Sequence, residues 1–338
     1  MHVSVLSDLK DIFQKLGHTI KVDSLSNHTW VNNERRARIK GLQLPSRFSP
    51  YWGKKDTVYE INQEMCDEFY RLNKDRLNEY DAFVVSYPPA FSLLFEKFNK
   101  PIIVVACTRF DFPCVETDRR EWLVTGLQRL SRKGHLLSVA NNKFDKKICE
   151  QYTDFEWQHI PSLCEYLPTK YMPNHNECLL WFRGDPRIDQ MFSSIEGIEG
   201  NFSIQKRYDR TQIGKYRGVV HVPYQISIMS AFEHYAQAIP IFFPTQGFVE
   251  RLMQQDYRLL SELSFYRSGL LITERDLHLA DFYDEDNFKH VQYFDSLDHL
   301  QQLLTETRYD EISQLMQEHQ QMRRHRTYSS WTNILGRI

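Results

Sequence analysis

Short apolar runs alternate along this chain with stretches in which apolar positions fall three and four residues apart, the pattern of strands alternating with amphipathic helices. In the first half, Val3–Leu6 reads as a first strand or its remnant. His18–Val22, Tyr80–Tyr87, Ile102–Ala106, Leu136–Ala140 and His159–Ser162 read as further strands. Helical spacing occupies Asp8–Leu16, which Gly17 ends, then Val58–Arg76, Phe91–Phe98, Trp122–Leu130 and Asn141–Gln151. In the second half, strands are expected at Cys178–Phe182, Phe202–Lys206, Gly218–Val222, Ile239–Phe243 and Val291–Phe294, the last leading into an Asp295–Ser296 helix cap. Helices are expected over Ser227–Ala238, from Phe248, over Leu297–Leu304, and as two final pieces, Tyr309–Arg326 and Ser329–Leu335. Residues 32–57, rich in charge, Pro and Gly, read as a long excursion, and Pro168–Asn176 as an interdomain linker. Such alternation predicts α/β architecture with parallel strands and right-handed crossovers.

The stretch Gly218–Thr245 is the centre of the reading, a strand, helix and strand in succession. Its helix carries Ser227 and Ser230 at the N-terminal end, with Gln225 just ahead and Glu233 one turn beyond Ser230. A helix N-terminus presents unpaired N–H groups and partial positive charge, so it suits a phosphate. An ordinary core βαβ unit with a serine cap and a solvated Glu233 fits the same pattern. Polar loops after strands line ligand crevices in open α/β sheets, and three stand out. Ser24–Trp30 contains His28, a group for general base catalysis or a loop hydrogen bond. Cys107–Pro113 contains Arg109 and Asp111, which fit either function or a loop ion pair. Arg183 follows the Cys178–Phe182 strand.

Composition narrows the class. With 338 residues the chain suffices for two domains of roughly 150 each. Lys and Arg total 42 against 44 Asp and Glu, so no global field favours nucleic acid or an acidic membrane. The basic clusters Arg35–Lys40 and Arg323–Arg326 read as solvated faces. Six cysteines are scattered without a CxxC pair, which fits reduced thiols. The opening MHVSVLSDLKDIF lacks the long apolar region of a signal peptide, and no run of about 18 apolar residues occurs. The expectation is a soluble, cytoplasmic protein.

The run Glu233–Ile241, EHYAQAIPI, resembles the donor-site segment of GT-B glycosyltransferases, where a Glu begins the helix body and a small residue and Pro lead to the next strand. Leu16–Ile20 is similar to the "GHxV" turn after the first helix of many such enzymes. The family Gly before the Pro is Ala238 here, and Gln225 stands where many retaining members carry an acidic residue. The resemblance implies a GT-B fold, two Rossmann-like domains facing each other across a cleft, with residues 1–167 on the acceptor side and 177–320 on the donor side. Residues 321–338 would form a helix crossing back to the first domain. It implies transfer from a nucleotide-diphosphate sugar to a carbohydrate or other hydroxyl acceptor, inverting and without metal, since no Asp-x-Asp motif lies in a suitable strand-end loop. Glu233 would take the ribose hydroxyls, and the donor set would comprise Arg183, Lys206, His221, Tyr224, Gln225, Ser227, Ser230 and Glu233. His28 is the first candidate for the base and Asp111 the second. No cofactor and no nucleic-acid partner are expected. A nucleotide-sugar 2-epimerase of the same fold, a non-catalytic sugar- or nucleotide-binding protein and a scaffold that binds no nucleotide are the alternatives.

Overall fold

The computed structural model describes residues 3–26, 29, 35–42, 60–107, 110–183, 185–200, 210–257, 259–260 and 274–338. The chain divides into two compact units, the first Met1–Pro161 with Tyr328–Ile338 and the second Ser162–Thr327. Both are mixed α/β with parallel sheets. No helix among the described residues is long and apolar enough to cross a membrane.

The first unit opens with α1 (Val3–Lys15) and α2 (Gln63–Leu77). Its described sheet runs β1 (Phe83–Val85), β2 (Ile102–Ala106), β3 (Leu136–Ala140) and β4 (Gln158–His159), adjacent in that order and parallel throughout. A 3₁₀ helix, Pro89–Phe98, joins β1 to β2, and α3 (Thr117–Arg132) and α4 (Lys143–Thr153) complete the other crossovers. The uninterrupted IIVVA of β2 is buried at every position, as expected of a parallel strand covered on both faces. Gly126 lets α3 approach the 3₁₀ helix closely: a Cβ there would meet Leu93 Cδ2 at 2.6 Å.

Two expectations at the N-terminus fail. Val3–Leu6 forms the first turns of α1, because Val5, Leu9, Ile12 and Phe13 make one continuous buried face, with Phe13 edge-on to Trp331 at 5.0 Å. His18–Val22 joins no sheet, and no described residue before Phe83 is in a strand.

The second unit contains β5 (Cys178–Trp181), α5 (Pro186–Ser193), β6 (Ile198–Glu199), β7 (Gly218–His221), α6 (Met229–Ala236), β8 (Ile241–Pro244), α7 (Gln246–Gln254), β9 (Gln292–Phe294), α8 (Leu297–Glu306) and the larger part of α9 (Tyr309–Leu335), whose residues from Tyr328 on belong to the first unit. Its five described strands form a parallel sheet in the order β6-β5-β7-β8-β9. The strand expected at Phe202–Lys206 lies outside the described residues, and β6 precedes it. Pro168–Asn176 runs along the surface of this unit and is hydrogen-bonded to it: the Tyr171 and Met172 amides donate to the Gln237 and Gly214 carbonyls at 3.2 and 2.9 Å.

The two final helices are one, α9, of 27 residues. Neither Pro nor Gly interrupts residues 326–329, so nothing in the chain breaks the hydrogen-bond ladder there. Arg323, expected on a solvated face, is 2% exposed. Its guanidinium lies over the Phe232 and Tyr235 rings at 5.5 and 5.2 Å and donates to the Ser162 carbonyl at 2.7 Å. These contacts fasten α9 to α6 and to the start of the unit.

Ala238, where the resembled family has Gly, adopts φ +59°. The chain turns there from α6 toward β8 through the left-handed region, which a Cβ disfavours by about 1–2 kcal/mol.

Candidate functional site at the strand ends of the second unit

The order of this sheet creates one reversal. From β5 the chain goes outward to β6, then returns to the other side of β5 as β7. Connections leaving β5 and β7 in opposite directions open a crevice at their C-terminal ends, the usual ligand position in open α/β sheets. Trp181 and His221 are register partners at those ends, and the Val222 amide donates to the Trp181 carbonyl at 3.1 Å. Just beyond them the side chain of Arg183 is exposed, with its guanidinium 5.9 Å from the Tyr224 ring centroid. Arg183, Tyr224 and the half-buried Gln225 are thus gathered at one edge.

Helix α6 starts beside them. It begins at Met229, so Ser227 precedes it and Ser230 lies in its first turn. The residue at the cap position is Ile228, which supplies no side-chain acceptor. The Ala231 amide donates to the Ile228 carbonyl at 2.9 Å, and the Met229 and Ser230 amides at the helix start have no side-chain cap. The hydroxyl oxygens of Ser227 and Ser230 are buried and hydrogen-bond to no described residue. Neither serine caps its own helix.

Below this edge lies a polar layer that sequence patterns did not foretell. Glu233 is 3% exposed. Its Oε1 is 3.2 Å from Arg210 Nη1 and accepts a hydrogen bond from the Tyr166 hydroxyl. Burial, together with the Glu233 charge, pushes the Tyr166 hydroxyl far above its ordinary range, so it acts as a donor. Next to Glu233, His234 Nδ1 and His221 Nε2 share a hydrogen bond of 2.9 Å. Both imidazoles are fully buried, which holds them neutral. Burial pushes His221 well down, with its histidine neighbour adding to the effect. Burial and then the Arg210 charge push His234 down to about 3. Trp181 meets His234 edge-on at 4.7 Å.

His221 therefore belongs to the packed floor of the site. It was expected among the donor-binding side chains, but it closes a strand buried at every position and its ring is committed to His234. The sequence alternatives for Glu233 were a ribose contact and a solvated carboxylate, and its burial excludes the second. Glu233 is anchored by internal partners, both on a single carboxylate oxygen. Arg210, Tyr166 and His234 were missed. The first two come from remote segments with no motif, while His234 sat unremarked within the EHYAQAIPI run.

The two base candidates fare differently. Asp111 is 1% exposed, with Oδ2 3.2 Å from Arg120 Nε. Arg120 also donates to the Val115 carbonyl at 2.6 Å and lies 5.5 Å over the Tyr152 ring. Asp111 is thus half of an internal ion pair in the first unit, with Arg120 as its partner. His28 and Lys206 lie outside the described residues, as does Arg109. No protein-family model matches the chain, and no curated protein sequence matches it.

Proposed function

We propose that the second unit binds the diphosphate of a nucleotide-diphosphate sugar at the β5/β7 strand ends, and that the chain is an inverting, metal-independent glycosyltransferase acting on a hydroxyl acceptor. One observation carries the reading: the sheet reverses its order where the N-terminus of α6 lacks a side-chain cap and two serine hydroxyls have no partner among the described residues. A departing nucleoside diphosphate develops negative charge, and amide dipoles with a nearby guanidinium stabilise such charge without reorganisation. Arg183 supplies the guanidinium, and Ser227 and Ser230 supply donors. Glu233 would accept a ribose hydroxyl on Oε2, since its two internal contacts use Oε1. The Arg210 ion pair orients that carboxylate. His28 is the base that the sequence offers.

A second reading, a nucleotide-binding protein without transferase activity, draws support from the burial of Asp111 in its ion pair, which takes away one of two base candidates. A thermal-shift screen of nucleotide sugars tests the common core of both. A ligand at a hundred times its dissociation constant adds about 2.7 kcal/mol of stability, and Arg183→Ala should lose most of the response. Failure of every nucleoside diphosphate and nucleotide sugar to shift the transition would contradict both readings. Release of nucleoside diphosphate only in the presence of an acceptor then separates the transferase from the binding protein.

A further inference from the structure

At the other edge of the second unit's sheet, where its strands begin, a His and two carboxylates converge. His175 and Glu177 immediately precede β5, and Glu199 ends β6 opposite Leu179. One ligand atom from each lies within 4.8 Å of the other two. The segment before β7 holds all three in place. The His175 ring stacks on Tyr216 with centroids 4.4 Å apart and planes 15° apart, which orients the imidazole without using its nitrogens. The His175 amide donates to the Lys215 carbonyl at 3.0 Å. Tyr216 donates its hydroxyl to Glu199 Oε1 at 3.2 Å, and the Arg217 amide donates to the Glu177 carbonyl at 3.0 Å.

Among the described residues, no Lys or Arg forms an ion pair with Glu177 or Glu199. Two carboxylates and an imidazole thus come together without an ion pair to any Lys or Arg among the described residues. This contrasts with Glu96, Glu165 and Glu233, which each meet an arginine.

We propose that His175, Glu177 and Glu199 bind one divalent first-row transition cation, with water completing its coordination. A set of one imidazole nitrogen and two carboxylate oxygens, without thiolate, suits zinc, manganese, cobalt or nickel ions. Bonds of about 2 Å set tetrahedral ligand atoms roughly 3.4 Å apart, so modest rotations of these surface side chains close the set. Two carboxylates balance the double positive charge. Tyr216 is a positioning residue, touching one ligand by its ring and another by its hydroxyl. The site lies at the strand starts, away from the β5/β7 strand ends, and does not depend on the nucleotide reading.

The experiment is a calorimetric titration of zinc chloride into the full-length chain, repeated on His175→Ala, Glu199→Gln and Tyr216→Phe. The chain has 13 histidines, so the measurement that counts is the difference between parent and variants. The parent should show one tight equivalent. His175→Ala and Glu199→Gln should lose that equivalent, and Tyr216→Phe should weaken it by about tenfold or more, as loss of a supporting hydrogen bond does. Circular dichroism should show all three variants folded, since the two ligand changes are at the surface and Tyr216→Phe keeps the stacked ring. Absence of a stoichiometric equivalent in the parent, or identical titrations of parent, His175→Ala and Glu199→Gln, would overturn the site. Unchanged affinity in Tyr216→Phe would overturn the positioning role.

Discussion

The buried imidazole pair makes the stability of the second unit depend on pH in a calculable way. His221 and His234 stay neutral when folded because burial penalises their charged forms. In the unfolded chain each titrates near 6.5. A histidine whose folded pKa is depressed contributes stability that is present above the unfolded value and lost as pH falls, because the unfolded state then binds the extra proton. At pH 5 each imidazole costs about 2 kcal/mol relative to neutral pH, and the pair about 4 kcal/mol. Between pH 6 and 5 the loss is about 1.2 kcal/mol per histidine.

His234→Gln removes one titrating group while keeping a polar side chain toward His221. The opening free energy of the second unit can be followed by hydrogen exchange at the buried β7 amides, such as Val219, whose N–H donates to the Pro240 carbonyl at 2.9 Å. Other titrating groups are common to both proteins and cancel in the comparison. The parent should lose about 1.2 kcal/mol more than His234→Gln over that pH unit. Parallel losses would mean that His234 takes up its proton in the folded state, and the account of the neutral pair would be wrong.

Other outcomes follow from single contacts. Ala238→Gly should raise the unfolding free energy by about 0.5–1 kcal/mol by relieving the φ of +59°; a lowered value in denaturant titration would refute that strain. Asp111→Asn should cost about 3 kcal/mol, because it leaves Arg120 without its buried counter-charge, while calorimetric nucleotide affinity stays unchanged; reduced affinity at native stability would return Asp111 to the ligand. Arg183→Ala should weaken binding of a nucleoside diphosphate about tenfold to a hundredfold with no loss of melting temperature, since Arg183 is exposed. All six cysteines are buried free thiols, and burial pushes Cys66 and Cys114 up to about 12 and about 11. A disulfide reagent should therefore titrate six thiols after denaturation and almost none before; fast native reaction would refute their packing.

What could be read from the chain depended on how locally each feature is encoded. Ile102–Ala106 and Leu136–Ala140 were legible to the residue because the first is wholly apolar and the second is apolar but for Ser138, and each is introduced by a turn signal, Pro101 or Gly134. Val3–Leu6 was misread because four residues cannot separate a period of two from one of 3.6, and the helical face appears only when Leu9, Ile12 and Phe13 are included. The β6 strand, two residues long, carries no periodic signal at all. Within the site, the α6 serines and Arg183 were visible because they are neighbours of a recognisable strand and helix. Tyr166 lies 67 positions from Glu233, and the pairing of Arg120 with Asp111 was equally remote from any motif. Only folding brings such partners together.

The central claim is that the β5/β7 strand ends and the start of α6 form a nucleoside-diphosphate site. Hydrogen-exchange footprinting with and without a saturating nucleoside diphosphate tests it directly, because the ligand would occupy first-turn amides that lack a side-chain cap. The account predicts added protection confined to peptides covering residues 181–185 and 222–233, lost in Arg183→Ala. Protection that falls in the first unit, or none at all under saturating nucleotide, would contradict it.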